Sequence, residues 1–177
     1  MADALDGIEK QLGDPGRRSA PPLDQWEPPL SGDIDIVIRA DGEWLHEGAT
    51  FKRTAIVDLF CSILRREADG HYYLVTPVEK WRIRVESHAL RVIDITRRSD
   101  GTLVATCKHG PDLIIGEEHP LCASPDSDVP WLACNNGLSA SLGRSVWYRL
   151  VDSAEDNGSE LVIRSGGWCY TLGPSTL

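Results

Sequence analysis

The sequence has little of what membrane, secreted and nucleic-acid-binding proteins need. It has 177 residues, and none of its apolar runs approaches the ~20 residues that a membrane-spanning helix requires. Its first residues, MADALDGIEKQ, are acidic and lack the apolar core of a signal peptide. Basic residues are outnumbered, with 18 against 27 acidic ones and a formal net charge of −9. That charge repels phosphate backbones and anionic lipids, so we expect neither a nucleic-acid partner nor a membrane partner.

Cysteine is sparse and follows no known pattern. The five cysteines are widely spaced and form no CxxC pair: Cys61, Cys107, Cys122, Cys134 and Cys169. This usage is typical of reduced thiols, so we predict a cytoplasmic protein of bacterial type without disulfides. Two histidines lie near two of these thiols, but the set fits no standard zinc spacing: Cys107, His109, His119 and Cys122. We therefore predict no metal.

The signatures of common catalytic and cofactor sites are missing as well. The chain contains no GxGxxG, no GxxxxGK[ST] and no GxSxG. These absences argue against a standard dinucleotide site, a P-loop and a nucleophile elbow. We predict no cofactor and no catalytic residues. A Cys–His nucleophile pair, and with it a hydrolase, stays open as a less favoured alternative.

The pattern that is present predicts an α+β protein. Residues 1–30 are expected to form a short helix over 3–12 and then a proline-rich arm. Residues 31–86 indicate two strands, a helix from Arg53 to Asp69-Gly70 and two more strands, in the order ββαββ. This unit is the first predicted domain.

The same order returns over residues 129–173. Arg53 aligns with Arg144 and Trp81 aligns with Trp168, which favours an internal duplication. The alternative is two unrelated α+β pieces that share common turn chemistry. Residues 87–128 add about three strands, so the second domain, 87–177, is predicted to be mostly antiparallel and to curl into a partly open barrel.

Local features of both units favour anion binding, and each also has a purely structural explanation. Arg53 and Arg144 precede the predicted helices, where backbone N–H groups and the helix dipole attract an anion. Three cations share one strand face, which is either a phosphate-facing stripe or a solvated surface: Lys80, Arg82 and Arg84. The segments 76–81 and 165–167 are either ligand-binding loops or ordinary hairpin turns.

These features together predict a ligand site in the groove between the two repeats, because pockets favour domain interfaces. A tryptophan would stack on a base, the cations would neutralise phosphate, and a glutamate and a histidine would form hydrogen bonds. The predicted site residues are Trp44, His46, Arg53, Glu79, Lys80, Trp81 and Arg144. In the alternative interpretation the tryptophans belong to the core and Arg53 forms an ion pair within its own unit.

Three stretches also carry a family likeness: Gly42-Glu43-Trp44-Leu45-His46-Glu47-Gly48, Tyr73-Leu74-Val75-Thr76-Pro77-Val78-Glu79-Lys80-Trp81, and Ser165-Gly166-Gly167 with Leu172-Gly173. With them the chain resembles a proteobacterial domain-of-unknown-function family, number 1285, over roughly residues 22–174. The resemblance implies a duplicated α+β core and a C-terminal half similar to pleckstrin-homology-like folds. It also implies a small nucleotide-like ligand between the halves, a signalling role, and no established enzymatic activity.

Two functions follow as expectations. The first is a cytosolic sensor module that binds a nucleotide-like small molecule and acts with a signalling protein partner. The second is a protein–protein interaction module that uses strand edges and the proline-rich arm and has no small-molecule ligand.

Overall fold

The computed structural model of the chain describes residues 7–8, 21–122 and 130–175, and divides into two compact units, Met1–Ser87 and His88–Leu177. Over the described residues the fold is a strand-rich α+β fold, as predicted, with two six-stranded mixed sheets and a smaller three-stranded sheet. None of the described helices is long and apolar enough to cross a membrane.

The N-terminal unit builds one sheet around helix α1 (Thr54–Ser62), after a 3₁₀ turn over Leu23–Gln25. Its strands are β1 (Leu30–Ile38), β2 (Trp44–His46), β3 (Ala49–Thr50), β4 (Leu64–Arg66), β5 (Tyr72–Val75) and β6 (Lys80–Val85). Their spatial order is β3-β2-β1-β6-β5-β4. The central pair, β1 and β6, is parallel, and the other pairs are antiparallel.

The core of this unit follows the alternation of the sequence. Ile34, Ile36 and Ile38 are buried along β1, whereas Asp35 and Val37 between them are more exposed. From α1, Phe60 is fully buried, and its ring centroid lies 6.2 Å from that of Trp44. Burial of side chains of this size contributes about 1.5–3 kcal/mol each, which explains why these residues fix the two elements together.

Helix α1 is shorter than its apolar spacing predicts. The helix ends at Ser62, and Leu64 begins β4, so the predicted helix to Asp69-Gly70 is wrong. Leu64 pairs with Leu74 across a short hairpin whose turn contains Asp69-Gly70, and both leucines are fully buried. A short apolar run fits a helix or a buried strand equally well, and strand pairing decides between them here.

The C-terminal unit contains helix α2 (Arg144–Asp152), a 3₁₀ turn over Asn135–Gly137 and two sheets. The strands are β7 (Leu90–Arg97), β8 (Leu103–Cys107), β9 (Leu113–Ile114), β10 (Leu121–Cys122), β11 (Trp131–Ala133), β12 (Ser139–Leu142), β13 (Glu155–Asp156), β14 (Glu160–Ser165) and β15 (Trp168–Pro174). One sheet has the order β10-β11-β12-β7-β8-β9, with β12 and β7 parallel, and the other has the order β13-β14-β15.

Both units place a parallel pair at the centre of a six-stranded sheet, but their strand pairings do not repeat in detail. In the N-terminal unit the strands that follow the helix rejoin the sheet, where β6 pairs with β1. In the C-terminal unit β14 and β15 form their own sheet, and β12 pairs with β7, which precedes the helix. Superposition of the two ββαββ segments and a pleckstrin-homology-like barrel stay predictions.

Two sequence predictions reach beyond the described residues. The helix over 3–12 is described only at Gly7 and Ile8, which are helical. The proline-rich arm that follows is described from residue 21 onward, where Leu23–Gln25 form the 3₁₀ turn.

Candidate functional site

A cleft of about 390 Å³ opens in the N-terminal unit where β6 continues past β5. Strand β5 begins at Tyr72, which pairs with Ile83, so Arg84 and Val85 pair with β1 but lie beyond the β5 pairing. The β4–β5 turn borders the opening. The lining residues are Val37, Gly70, His71, Tyr72, Ile83, Arg84, Val85 and Glu86.

The cleft combines an apolar floor with an aromatic ring. Ile83 is buried, and Tyr72 is half-buried beside it. The Arg66 guanidinium carbon lies 5.5 Å from the Tyr72 ring centroid, and Arg66 Nε donates to the Gly70 carbonyl oxygen at 3.3 Å. This cation–π contact holds the ring at the edge of the cleft.

The charged groups of the cleft are bound to different extents. Glu86 Oε2 accepts a hydrogen bond from the Ala40 N–H at 3.0 Å. Arg84 Nη2 lies 3.6 Å from Asp35 Oδ1, and the two side chains are 77% and 50% exposed. Exposed pairs of this kind contribute about 0–1 kcal/mol, so the Arg84 guanidinium is only loosely held.

The predicted site residue Lys80 forms part of an ion-pair network within its own unit. Its Nζ donates to both carboxylate oxygens of Glu67 at 3.0 and 3.1 Å and lies 4.9 Å from the Tyr73 ring centroid. Arg65 Nη2 donates to the same carboxylate at 2.5 Å. Burial favours a higher pKa for Glu67, but the hydrogen bonds from Arg65 and Lys80 outweigh it, and the net effect is a lowered pKa.

The Tyr73 hydroxyl donates to Asp69 at 2.7 Å, and this bond together with burial raises the pKa of Tyr73 to about 12.

Each cation on the basic face of β6 faces a carboxylate, and a phosphate-facing role for the stripe stays a prediction. Arg82 donates two hydrogen bonds to Asp33, at 2.5 and 2.9 Å, and the bond from Arg82 lowers the pKa of Asp33. Arg84 faces Asp35, as described above. Each cation of the stripe thus faces an acid of the sheet or of the adjoining turn.

Trp44 and His46 lie on the face of β2 that packs on the core. Trp44 is 2% exposed and contacts Phe60, so its ring occupies a core position rather than a stacking surface. The His46 ring centroid lies 6.0 Å from that of Phe51. The His46 Nε2 atom is buried and has no hydrogen-bond partner among the described residues.

The segment 76–81 is a hairpin turn closed by its own side chains. Thr76 Oγ1 accepts from the Glu79 N–H at 3.0 Å, and the Thr76 N–H donates to the Glu79 carbonyl oxygen at 2.9 Å. Trp81 Nε1 donates to Glu79 Oε2 at 3.4 Å. The Trp81 ring lies against Gly32, where a Cβ would come within 3.4 Å of the ring and φ is +144°. These contacts support an ordinary hairpin turn in this segment rather than a ligand-binding loop.

Arg53 and Arg144 occupy similar but not identical positions. Arg53 is the N-cap residue of α1, whereas Arg144 is the first residue of α2 and follows the N-cap Gly143. Both side chains are exposed, and they belong to different units. A ligand site between the units that includes both arginines stays a prediction.

The segment 165–167 forms a two-residue hairpin turn between β14 and β15. Gly166 and Gly167 have φ values of 53° and 88°, as a tight hairpin turn requires. Ser165 is fully buried, and its Oγ accepts from the Leu103 N–H at 2.9 Å and donates to the Ile115 carbonyl oxygen at 2.6 Å. The serine is thus engaged in structural bonds.

Two of the thiols are made less reactive by burial. None of the five cysteines, all of which lie in the described residues, forms a disulfide, and burial raises the pKa of Cys107 and of Cys134 to about 12. Such thiols are poor nucleophiles at neutral pH. Among the described residues no group of three or more His, Cys, Asp and Glu side chains is arranged to hold a metal ion.

Comparison with known proteins identifies the same two segments that the structure separates. Residues 21–88 match the N-terminal domain of the domain of unknown function DUF1285, and residues 89–172 match the C-terminal domain of the protein of unknown function DUF1285. Curated protein sequences gave no match.

Two crystal structures of DUF1285 family proteins are similar to the chain. The one from Silicibacter pomeroyi is 32% identical, with a TM-score of 0.83, and the alignment covers 97% of this chain and 95% of that one. The one from Shewanella baltica is 29% identical, with a TM-score of 0.55, over 66% of this chain and 90% of that one. The chain therefore belongs to the DUF1285 family, as its motifs predicted.

Proposed function

We propose that this protein is a cytoplasmic binding module that holds a nucleotide-like small molecule and acts in signal transduction. The observation that carries the proposal is the cleft beside Tyr72 and Arg84, whose volume of about 390 Å³ suits a small ligand. An aromatic ring, an apolar floor and a loosely held guanidinium are the groups that a base and a phosphate need. Five cysteines without a disulfide suit a reducing compartment.

The proposal is one of binding rather than catalysis. The lining residues with titratable side chains are His71, Tyr72, Arg84 and Glu86, and none of the lining residues is a serine or a cysteine. The seven residues of the predicted site lie outside this cleft, where Lys80 is engaged with Glu67 and Trp44 lies in the core. Arg84 belongs instead to the cation stripe of β6. The groove between the units is a separate prediction, for which Arg53→Ala is the test.

A thermal-shift titration with nucleoside monophosphates and cyclic nucleotides tests the proposal. A ligand at 100 times its Kd stabilises the protein by about 2.7 kcal/mol, so the melting temperature of the wild type is expected to rise. Tyr72→Leu keeps an apolar side chain but removes the ring, and it is expected to abolish the rise. Tyr148→Leu, at an exposed tyrosine of the other unit, is the matched control. The proposal fails if millimolar nucleotide shifts no melting temperature, or if Tyr72→Leu responds as the wild type does.

A protein-interaction module is the second candidate, because two large apolar side chains are exposed at one end of the N-terminal sheet. Leu30 is 52% exposed and pairs with Lys80, and Val78 is 62% exposed in the turn just before Lys80. Affinity capture with mass spectrometry would compare the partner proteins bound by the wild type, by a Leu30→Asp, Val78→Asp double variant and by an Ile114→Asp control. The double variant is expected to lose partners that the other two proteins retain. If all three proteins retain the same partners, this surface is not the interaction site.

A further inference from the structure

We propose that the cleft selects ligands that carry an anionic group on a planar apolar body, and that Asp35 competes with this group for Arg84. The inference rests on the proposed function, since it names the ligand class of the same cleft.

Arg84 is held less tightly than the other two cations of its stripe on β6, Lys80 and Arg82. Lys80 and Arg82 hold their carboxylates within hydrogen-bond distance, at 3.0 Å and at 2.5 and 2.9 Å. Arg84 Nη2 stands 3.6 Å from Asp35, too far for a hydrogen bond. A guanidinium offers two parallel N–H groups to a phosphate or carboxylate, so a ligand anion can make bonds that Asp35 does not make.

The other groups of the cleft are apolar, aromatic or acidic. Val37 and Tyr72 present apolar and aromatic surface beside the buried Ile83, which suits a planar body rather than a free inorganic ion. The Glu86 carboxylate is held by the Ala40 N–H and can accept from a ligand hydroxyl or amino group. The cleft therefore offers the Arg84 guanidinium to a negative charge, with apolar and aromatic surface in the same lining.

Competition between Asp35 and the ligand anion has a consequence that charge attraction by Arg84 alone does not have. If Asp35 holds Arg84 away from the ligand, removing the charge of Asp35 frees the guanidinium and raises the affinity of the cleft for the anion. An uncharged ligand with the same body gains nothing from that change. Asp35 is 50% exposed, so Asp35→Asn is expected to fold.

Isothermal titration calorimetry with two matched ligand pairs tests the inference. The pairs are AMP with adenosine, for a phosphate, and indole-3-acetate with indole-3-acetamide, for a carboxylate. The wild type is expected to bind the anionic member of at least one pair about tenfold more tightly. Arg84→Gln should remove this preference, Asp35→Asn should increase the affinity for the anion about threefold or more, and Arg82→Gln should leave the preference in place.

Three results would overturn the inference while the proposed function stands. These are equal affinities within both pairs, a preference that persists in Arg84→Gln, or a weaker affinity for the anion in Asp35→Asn. Failure of all four compounds to bind, together with no response in the nucleotide melting-temperature screen, would reject the proposed function itself. Circular dichroism of each variant establishes that the protein is folded.

Discussion

At the scale of single residues, Arg65 links distant parts of the N-terminal unit. Arg65 Nη1 donates to the carbonyl oxygens of Leu23 and Trp26 at 2.8 and 3.0 Å, and Nη2 donates to Glu67. Arg65 thus ties the segment before β1 to the sheet and shares Glu67 with Lys80. The sequence does not reveal the bonds from Arg65 to Leu23 and Trp26, because these residues lie about 40 positions apart along the chain.

Glu67→Gln is expected to destabilise the protein by about 1–3 kcal/mol at neutral pH, because it leaves two half-buried cations without their carboxylate. The pKa of Glu67 is lowered in the folded state, so its contribution is present above the ordinary value of 4.5 and is lost as the pH falls through the folded-state pKa. The deficit of the variant should therefore shrink between pH 5 and about pH 3.

Urea unfolding at a series of pH values measures that deficit. The control is Glu155→Gln, which breaks an exposed pair with Arg164 and should change stability by less than about 0.5 kcal/mol. A deficit for Glu67→Gln that stays constant down to pH 3 would show that the charge of Glu67 is not what the network needs.

Ser165→Ala is expected to destabilise the C-terminal unit by about 1–3 kcal/mol. The Ser165 hydroxyl forms hydrogen bonds with the Leu103 N–H and the Ile115 carbonyl oxygen, and alanine would remove both of these hydrogen bonds. Chemical denaturation is the measurement, with Ser159→Ala in an exposed turn as the control. Equal stability of the two variants would mean that another group replaces the hydroxyl.

At the scale of elements, the sequence predicts strands and turns better than it predicts where α1 ends. Ile34, Ile36 and Ile38 are buried as their alternation indicates, and Gly166-Gly167 is the predicted turn. Ile63 and Leu64 also continue a helical spacing, and only their pairing with β5 makes them part of a hairpin. A local pattern cannot weigh a helical turn against a strand partner ten residues away.

The β5–β6 turn gives a prediction at this scale. Thr76→Val keeps the shape of the buried side chain but removes the oxygen that accepts from the Glu79 N–H. We expect a loss of about 1–2 kcal/mol in thermal or urea unfolding. Thr171→Val, at an exposed strand position, should change stability by less than about 0.5 kcal/mol. If the two substitutions cost the same, the hydroxyl does not hold the turn.

At the scale of the whole molecule, the chain consists of two units that are each compact. The division between Ser87 and His88 coincides with the junction of the two family domains to within one residue. We expect residues 21–87 to fold alone, since their sheet, helix and Arg65 contacts are complete within that range. A cooperative thermal transition of this fragment is the expected result, and a non-cooperative one would show that it needs the rest of the chain.

The candidate site was not predictable from motifs, because the residues that line it form no recognisable sequence pattern. The cleft exists because β6 runs past Tyr72, and this offset depends on the register between β5 and β6. The sequence patterns favour Lys80 and Trp44 as ligand-binding residues over those of the cleft, yet Lys80 is ion-paired and Trp44 is buried. Residue type indicates what chemistry is possible, whereas strand register decides which groups face an opening.

The central claim is that the cleft beside Tyr72 and Arg84 binds a small ligand. An ¹H–¹⁵N NMR titration of the full chain with AMP tests it most directly, because each backbone amide reports separately. The account predicts saturable shifts at the amides of 70–72 and 83–86, with Arg53 and Arg144 unchanged. Saturable shifts confined to Arg53, Arg144 and their neighbours, or no shifts at millimolar AMP, would contradict it.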